Sequence, residues 1–97
     1  MRKINVIEST NKSTPTGFRW SNIYRGRIGQ ASAPEYMIRW DKGAFESPGT
    51  THCDSLTQAR KEARAIVAEG RAWAEIFRWA ESGVSMRKVH IATYEAT

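Results

Sequence analysis

Three arginines close together in the first half of the chain have the residue type and spacing best suited to binding chemistry. Arg19, Arg25 and Arg27 fall within residues 18–34, a stretch that contains no Asp or Glu. Alternate side chains of an extended strand share a face, so these arginines are predicted to project from one side of a sheet, with Arg39 beside them. Because guanidinium groups bind phosphates and carboxylates with two parallel hydrogen bonds, we expect this surface to meet nucleic acid or an acidic protein.

A second basic line is predicted along a helix. At 100° per residue, four arginines lie on one side of this predicted helix: Arg60, Arg64, Arg71 and Arg78. Glu75 is close enough to pair with two of them, so the line is equally typical of a solvated, salt-bridged helix face. Trp79 lies off the apolar stripe of this helix and is a candidate anchor for a partner, unless a bend at Gly70 turns it inward. The remaining basic candidates for the contact surface are Lys42, Arg87 and Lys88.

Residues that could support catalysis are few and poorly spaced. His52, Cys53 and Asp54 are adjacent, and neighbouring side chains diverge on an extended chain, so a Cys–His pair would need His90 to arrive through folding. The chain has no phosphate-binding glycine loop and neither a GxSxG nor an HExxH motif. We therefore predict a non-enzymatic protein without cofactor or metal, in which Cys53 is a small buried residue just before the helix.

Alternating residues predict several strands that must position these side chains. Residues 18–28 and 35–41 alternate between apolar and polar, and in the second of them Tyr36, Ile38 and Trp40 share one face. Residues 44–47 are predicted to form a third strand and residues 1–8 a short additional one. Residues 9–17 consist of turn-forming residues and are predicted to be a loop or a flexible arm.

A helix is predicted to follow the strands. Ser55 and Gln58 match the capping box, and apolar or small residues then recur in steps of three and four as far as residue 80. Gly70 interrupts this pattern and Gly83 is predicted to cap the helix. The chain is thus expected to be one α+β domain over residues 1–97: an antiparallel three- to four-stranded meander packed against one long or kinked helix (about 55–82), with a C-terminal strand or short helix.

Length, composition and charge limit the classes of function. The 97 residues are 40% hydrophobic and 26% charged and carry a net charge of +5, which predicts one globular domain and not a disordered chain. One Cys excludes an internal disulfide framework. No stretch resembles a signal peptide or a membrane span, so we expect a cytoplasmic protein that does not contact a membrane. A basic surface of this kind commonly meets nucleic acid or an acidic protein.

The chain resembles two protein families and one class of small proteins. The basic strands followed by a capped helix (Phe45, then Asp54-Ser55-Leu56 and Ala59) resemble, over residues 18–69, the arm-type DNA-binding domain of phage integrases, which implies DNA binding by the sheet. Ser82-Gly83-Val84-Ser85 with Val89 resembles the turn of a helix-turn-helix, although Arg78 and Trp79 depart from that family's pattern, and a helix end followed by a strand explains the segment as well. In size and organisation the chain also resembles small accessory proteins of phages and mobile elements, anti-CRISPR proteins included.

Two hypotheses of function follow. The first is a non-catalytic binder, encoded by a phage or mobile element, that blocks a host nucleic-acid-bound protein complex through its arginine-rich surfaces. The alternative is direct binding of DNA, through the sheet or a C-terminal helix-turn-helix. The predicted partners are a host protein or ribonucleoprotein complex, or nucleic acid, in the cytoplasm of the host. A homodimer is a further possibility and is expected above all of a DNA binder of the helix-turn-helix kind.

Overall fold

This computed structural model describes residues 3–24 and 32–97, which form an antiparallel sheet with one helix packed against it. The elements are β1 (Ile4–Glu8), β2 (Arg19–Trp20), β3 (Tyr36–Trp40), β4 (Gly49–Cys53), α1 (Leu56–Ala68), β5 (Trp73–Glu81) and β6 (Met86–Ala96). The α+β class predicted from the sequence is therefore confirmed.

The sheet is built around β5, its central strand. The strand order is β1-β6-β5-β3-β4, and β2 pairs with the end of β5 on the same side as β3. A register shift falls between Ile76 and Phe77, because Ile76 pairs with Ala92 and Phe77 pairs with His90. Ile91 is the extra residue of this bulge, and both Ile91 and Ala92 are buried.

The helix begins where the sequence predicts. Ser55 adopts an extended conformation, and its Oγ accepts a hydrogen bond of 3.2 Å from the backbone N–H of Gln58, which satisfies one of the unpaired donors of the first turn. The Gln58 side chain does not complete the capping box, since its Nε2 donates to Glu62 Oε1 at 3.0 Å.

The helix ends at Ala68, well before residue 82. Gly70 has a φ of 125°, a conformation that side-chain-bearing residues rarely adopt. The backbone N–H of Gly70 donates to the carbonyl of Val67 (3.1 Å), and that of Arg71 donates to the carbonyl of Ile66 (3.3 Å). This pair of bonds is the Schellman motif that closes a helix, and the chain then enters β5.

The main core lies between α1 and one face of the sheet. On the helix the buried side chains are small, and they are Ala59, Ala63 and Val67. Small residues let the helix approach the sheet closely. The strands contribute Tyr36, Ile38, Cys53, Ala74, Ile76, Ile91, Ala92 and Tyr94 to this core.

The prediction of one helix over residues 55–82 is wrong in its second half. Residues 73–81 form β5, and Ala74, Ile76 and Ala80 on its inner side are fully buried. Gly83 lies in the turn between β5 and β6 and caps no helix. Within the described residues the sheet also has six strands, more than the three or four predicted.

Among the predicted strands, residues 1–8 and 35–41 are confirmed as β1 and β3. Of the two alternatives for the C-terminal segment, a strand or a short helix, the structure shows the strand, β6. Residues 44–47 form a turn region instead of a strand, and of residues 18–28 only Arg19–Trp20 pairs within the described part. The helix-turn-helix reading is wrong, because the N–H of Ser82 donates to the carbonyl of Ser85 (2.9 Å) in a turn that is followed by β6 and not by a helix.

Candidate binding face

The face of the sheet that points away from α1 is the candidate site. Side chains alternate between the two faces along every strand, and the inner set packs under α1, which is the helix that residues 3–24 and 32–97 form. The outer set is aligned from strand to strand by the sheet register. We call this surface the open face, and its central members are Met37, Arg39, Trp73, Phe77, Trp79, Lys88 and His90.

An aromatic strip, defined by Trp73, Phe77 and Trp79 of β5, runs along the middle of the open face. Both tryptophans are half-buried, whereas Phe77 is only 9% exposed. The Phe77 ring meets the ring of His90 edge-on with centroids 5.6 Å apart, an arrangement that the quadrupoles of the two rings favour. Lys88 Nζ lies 4.9 Å from the centroid of the same ring, so Phe77 is covered by its neighbours while the tryptophans border solvent.

Two apolar side chains extend this surface at its rim. Ile7 of β1 is 46% exposed, and Met86 at the start of β6 is 38% exposed. Both positions belong to the outer set, because Ile7 pairs with Thr93 and Met86 pairs with Glu81. The open face therefore combines aromatic, aliphatic and thioether groups, which water solvates poorly.

Two cations of the open face, Arg39 and Arg19, are matched by carboxylates on a neighbouring strand. Arg39 Nη1 lies 3.8 Å from Glu75 Oε1, and its guanidinium carbon is 6.0 Å from the centroid of Trp73. Arg19, 82% exposed, places Nε 3.1 Å from Glu81 Oε1. These pairs leave little excess positive charge on the described part of the face.

A buried carboxylate lies at the β3–β4 end of the open face. Glu35 is fully buried, and its Oε2 accepts a hydrogen bond of 3.4 Å from Ser21 Oγ. His52 Nδ1 lies 3.9 Å from Glu35 Oε1, so the two form an ion pair when the imidazole is protonated. Here the carboxylate lies between Ser21 and His52, an order that differs from the serine–histidine contact of the Ser-His-Asp triad, and Ser21 is itself fully buried.

Cys53 faces the core and is poorly suited to nucleophilic chemistry. It is 3% exposed, and its Sγ donates to Glu62 Oε2 at 3.2 Å. Burial, followed by the hydrogen bond to Glu62 and the charges of Glu62 and Asp54, raises the pKa of the Cys53 thiol to about 12. The thiolate is the reactive form, and at neutral pH it is essentially absent. Cys53 is thus the small buried residue that the sequence predicts.

On the helix side, Arg60 ties the helix to β1. Its guanidinium makes two hydrogen bonds to the Glu8 carboxylate, of 2.6 and 2.8 Å, and a third of 3.3 Å to the hydroxyl of Tyr94. Lys12 contacts the same carboxylate at 2.6 Å. The hydrogen bonds from Arg60 and then Lys12 lower the pKa of Glu8 to about 2. Arg60 therefore serves the fold and is not available to a ligand phosphate.

The other arginines on the helix side lie over aromatic rings, with the guanidinium carbon 4.6 to 5.5 Å from a ring centroid. The pairs are Arg64 on Tyr94, Arg71 on Trp40, Arg78 on Trp20 and Tyr36, and Arg87 on Phe18. A guanidinium over a ring face is attracted by the ring quadrupole, and its aliphatic stem covers apolar surface. These arginines therefore shield the aromatic border of the core.

The structure brings together only part of the predicted contact set. Arg19, Arg39, Trp79 and Lys88 share the open face. The predicted line along one helix is wrong, because Arg60 and Arg64 lie on α1, Arg71 follows it and Arg78 belongs to β5. Lys42 is exposed in the turn after β3 and Arg87 points to the helix side. Arg25 and Arg27 lie outside the described residues.

Sequence reasoning missed Trp73, Phe77, Met37 and His90 as members of one surface. The signal was present in residues 73–81, where two tryptophans and a phenylalanine occupy odd-numbered positions. Aromatic residues at a spacing of two favour a strand, but Trp73, Phe77 and Ala80 also fit the steps of three and four that led to a helix.

No protein-family model, no curated protein and no solved structure matches this chain. The described residues contain no cluster of three or more His, Cys, Asp or Glu side chains arranged to hold a metal ion. Within the same residues, no helix is long and apolar enough to span a membrane.

Proposed function

We propose that this chain is a non-catalytic binding protein that contacts a protein partner through the open face. The observation that carries the proposal is the aromatic strip, which lies along the central strand on the face that α1 does not cover. Met37 and Phe77 of this face are already buried within the chain. Trp73 and Trp79 are half-buried, a position from which they can enter a partner's surface.

The residue types of the open face are those that dominate the energetics of protein–protein contacts. Tryptophan, methionine and arginine are enriched at such interfaces, and tryptophan and arginine are the most frequent hot spots. The strip is surrounded by Met37, Arg39, Met86 and Ile7. Met37 is already buried, whereas Met86 and Ile7 are exposed, so covering Met86, Ile7 and the two tryptophans with a complementary surface would release water while the charged pairs remain at the solvent.

The charge of the open face favours a protein over a phosphate backbone. A protein that tracks nucleic acid neutralises several phosphates with unpaired Lys or Arg. Here Arg39 faces Glu75 and Arg19 faces Glu81, so a phosphate would have to displace a carboxylate. The +5 excess of the chain lies in part on the helix side, where Arg64, for example, is stacked on Tyr94.

Two observations support a non-catalytic role. The pKa of the Cys53 thiol is raised to about 12, so the nucleophile is protonated at neutral pH. Ser21 and Glu35, which are hydrogen-bonded to each other, are both fully buried, so the Ser21 hydroxyl is out of reach of a substrate in solvent.

A finer proposal concerns the partner. The net charge of +5 suits a protein that works near nucleic acid. We propose that the partner belongs to a host nucleic-acid-bound complex that the chain blocks, in the manner of anti-CRISPR proteins. The open face would occupy the protein component, while the basic side chains outside it tolerate nearby phosphate. Direct DNA binding is the competing hypothesis.

The test compares two variants of matched charge change. Met86→Ser/Lys88→Glu alters the open face at exposed positions, and Lys61→Glu/Ala68→Ser makes equivalent changes at exposed positions of α1. Each purified protein is titrated with a random-sequence duplex and a single strand at low and physiological salt. Each is then used in parallel to capture proteins from a nuclease-treated host lysate, and any captured complex is assayed for inhibition.

The proposal expects weak nucleic-acid binding that the open-face variant leaves unchanged. It also expects a captured protein that wild type and the α1 variant retain and the open-face variant loses. Tight, salt-sensitive binding to DNA that is lost in the open-face variant would instead establish the competing hypothesis. Identical capture by all three proteins would refute the role of the open face.

A further inference from the structure

β1 is an edge strand whose outward hydrogen-bonding groups are left unpaired within the described residues. Thr97 N–H donates to the Lys3 carbonyl (3.2 Å) and Ser9 N–H donates to the Ile91 carbonyl (2.9 Å). Hydrogen-bonded residues alternate along an antiparallel ladder, so the odd-numbered residues of β1 bond to β6. The backbone groups of Ile4, Val6 and Glu8 therefore point outward, and no described strand pairs with them.

Two other edge segments of the sheet carry features that oppose the addition of a strand, and β1 carries neither of them. At the edge of β4 the carbonyl of His52 accepts a hydrogen bond of 3.2 Å from the hydroxyl of Tyr24. The first half of β6 carries Arg87 and Lys88, and charged residues on an edge oppose strand pairing. β1 has the sequence Ile-Asn-Val-Ile-Glu, with three β-branched residues and no proline, and its one charge is already bonded to Arg60.

We propose that β1 pairs in antiparallel fashion with β1 of a second copy of this chain, in the register centred on Val6, to form a continuous sheet across a homodimer. This proposal is independent of what the open face binds. The Val6-centred register overlaps all five residues of each β1, so Ile4, Val6 and Glu8 of both copies find backbone partners.

A second copy fits this edge because the strand is its own complement in that register. Val6 faces Val6 of the second copy, and Asn5 faces Ile7 of the second copy. Ile4 and Val6 are half-buried at the margin of the core, and Ile7 is 46% exposed, so pairing removes apolar surface from water on both faces of the sheet. The Glu8 side chain brings no unmatched charge, because Arg60 and Lys12 already contact it.

The first experiment uses complementary charges at exposed positions. In the Val6-centred register, Asn5→Lys/Ile7→Lys places two lysine pairs directly opposite each other, and Asn5→Glu/Ile7→Glu does the same with carboxylates. Like charges at such positions are destabilising, and we expect each variant to raise the dimer dissociation constant about tenfold or more. An equal mixture should dimerise again. Sedimentation equilibrium reports the mass against the 11.0 kDa of one chain, and Thr50→Lys on β4 is the control that stays dimeric.

The second experiment tests the register by cross-linking. Residues 5 and 7 of the two copies would form a non-hydrogen-bonded pair with Cα atoms about 4.5 Å apart, within the range for a disulfide. A mixture of Asn5→Cys and Ile7→Cys chains should cross-link under oxidation faster than either variant alone. If the wild-type protein had the mass of a single chain even at high concentration, the proposal would be overturned. If either variant alone cross-linked faster than the mixture, the Val6-centred register would be overturned.

Discussion

Replacing Gly49 by alanine should destabilise the fold for a steric reason alone. A Cβ built at Gly49 lies 2.8 Å from Cη2 of Trp40 and nearer still to Cε2 and Cζ2, whereas ordinary carbon contacts are about 3.5–4.0 Å. The φ of Gly49 is not in the left-handed region, so backbone strain does not contribute to the cost of the substitution. Trp40 packs against the core and carries Arg71 over its ring at 5.1 Å, so the indole cannot move freely. Overpacking of this kind costs about 2 kcal/mol.

Denaturant unfolding followed by tryptophan fluorescence measures this cost. For a chain of this size about 2 kcal/mol corresponds to a fall in Tm of about 10 °C. Gly83→Ala is the matched control, since its added Cβ has nothing within 4 Å. Shrinking the ring with Trp40→Leu should make Gly49→Ala nearly neutral, which gives a coupling energy of about 1–2 kcal/mol in a double-mutant cycle. The reasoning is refuted if Gly49→Ala is as mild as Gly83→Ala, or if the cycle shows no coupling.

Three further outcomes are expected. The pKa of Glu8 is lowered from 4.5 to about 2, so the stabilisation that Glu8 provides is present above pH 4.5 and is lost as the pH falls towards 2. Its size is about 1 kcal/mol, because the carboxylate is partly exposed. If Glu8→Gln left the fall in unfolding free energy at acid pH unaltered, this expectation would be contradicted. The Cys53 thiol, with a pKa of about 12, should react with a thiol reagent at pH 8 only in denaturant, and rapid labelling of the native chain would show that it is accessible. Ser55→Ala removes the helix cap and should lower the free energy of unfolding by about 1 kcal/mol, as chemical denaturation can show, whereas Thr57→Ala at an exposed position of the same turn should not.

Strands with one strongly apolar face could be predicted from the sequence. In β3 the residues Tyr36, Ile38 and Trp40 face the helix, and Met37 and Arg39 lie on the other side, as the alternation predicts. This prediction succeeded because a strand that packs on one layer retains a clear period of two.

β5 could not be predicted in the same way because both of its faces are apolar. Ala74, Ile76 and Ala80 are buried under the helix side, while the aromatic strip occupies the open face. A central strand with apolar residues on both of its faces loses the clear alternation of apolar and polar residues. Its first residues then matched a continuation of α1, and only the Schellman motif at Gly70, whose bonds are invisible in the sequence, separates the two elements.

The contact surface was harder to predict than the fold because the role of an arginine depends on what lies across from it. Arg60 and Arg78 resemble ligand-binding residues in the sequence, yet one is bonded to Glu8 and the other lies between Trp20 and Tyr36. Those partners are remote in the chain. Lys88 and Arg39 share the open face only because β6 and β3 flank β5.

The pairing of β1 with β6 also has a consequence for the order of folding. Asn5 and Glu95, which are hydrogen-bonded across this pair, are 90 positions apart, whereas β5 and β6 are joined by the turn at residues 82–85. A contact that closes so long a loop forms slowly, because the chain loses conformational entropy before the contact stabilises it. We expect the hairpin of β5 and β6 to form early and β1 to add late. In a partly folded chain the outer edge of β6 is then bare over residues 92–96, and the lifetime of that intermediate sets how readily the chain aggregates during refolding.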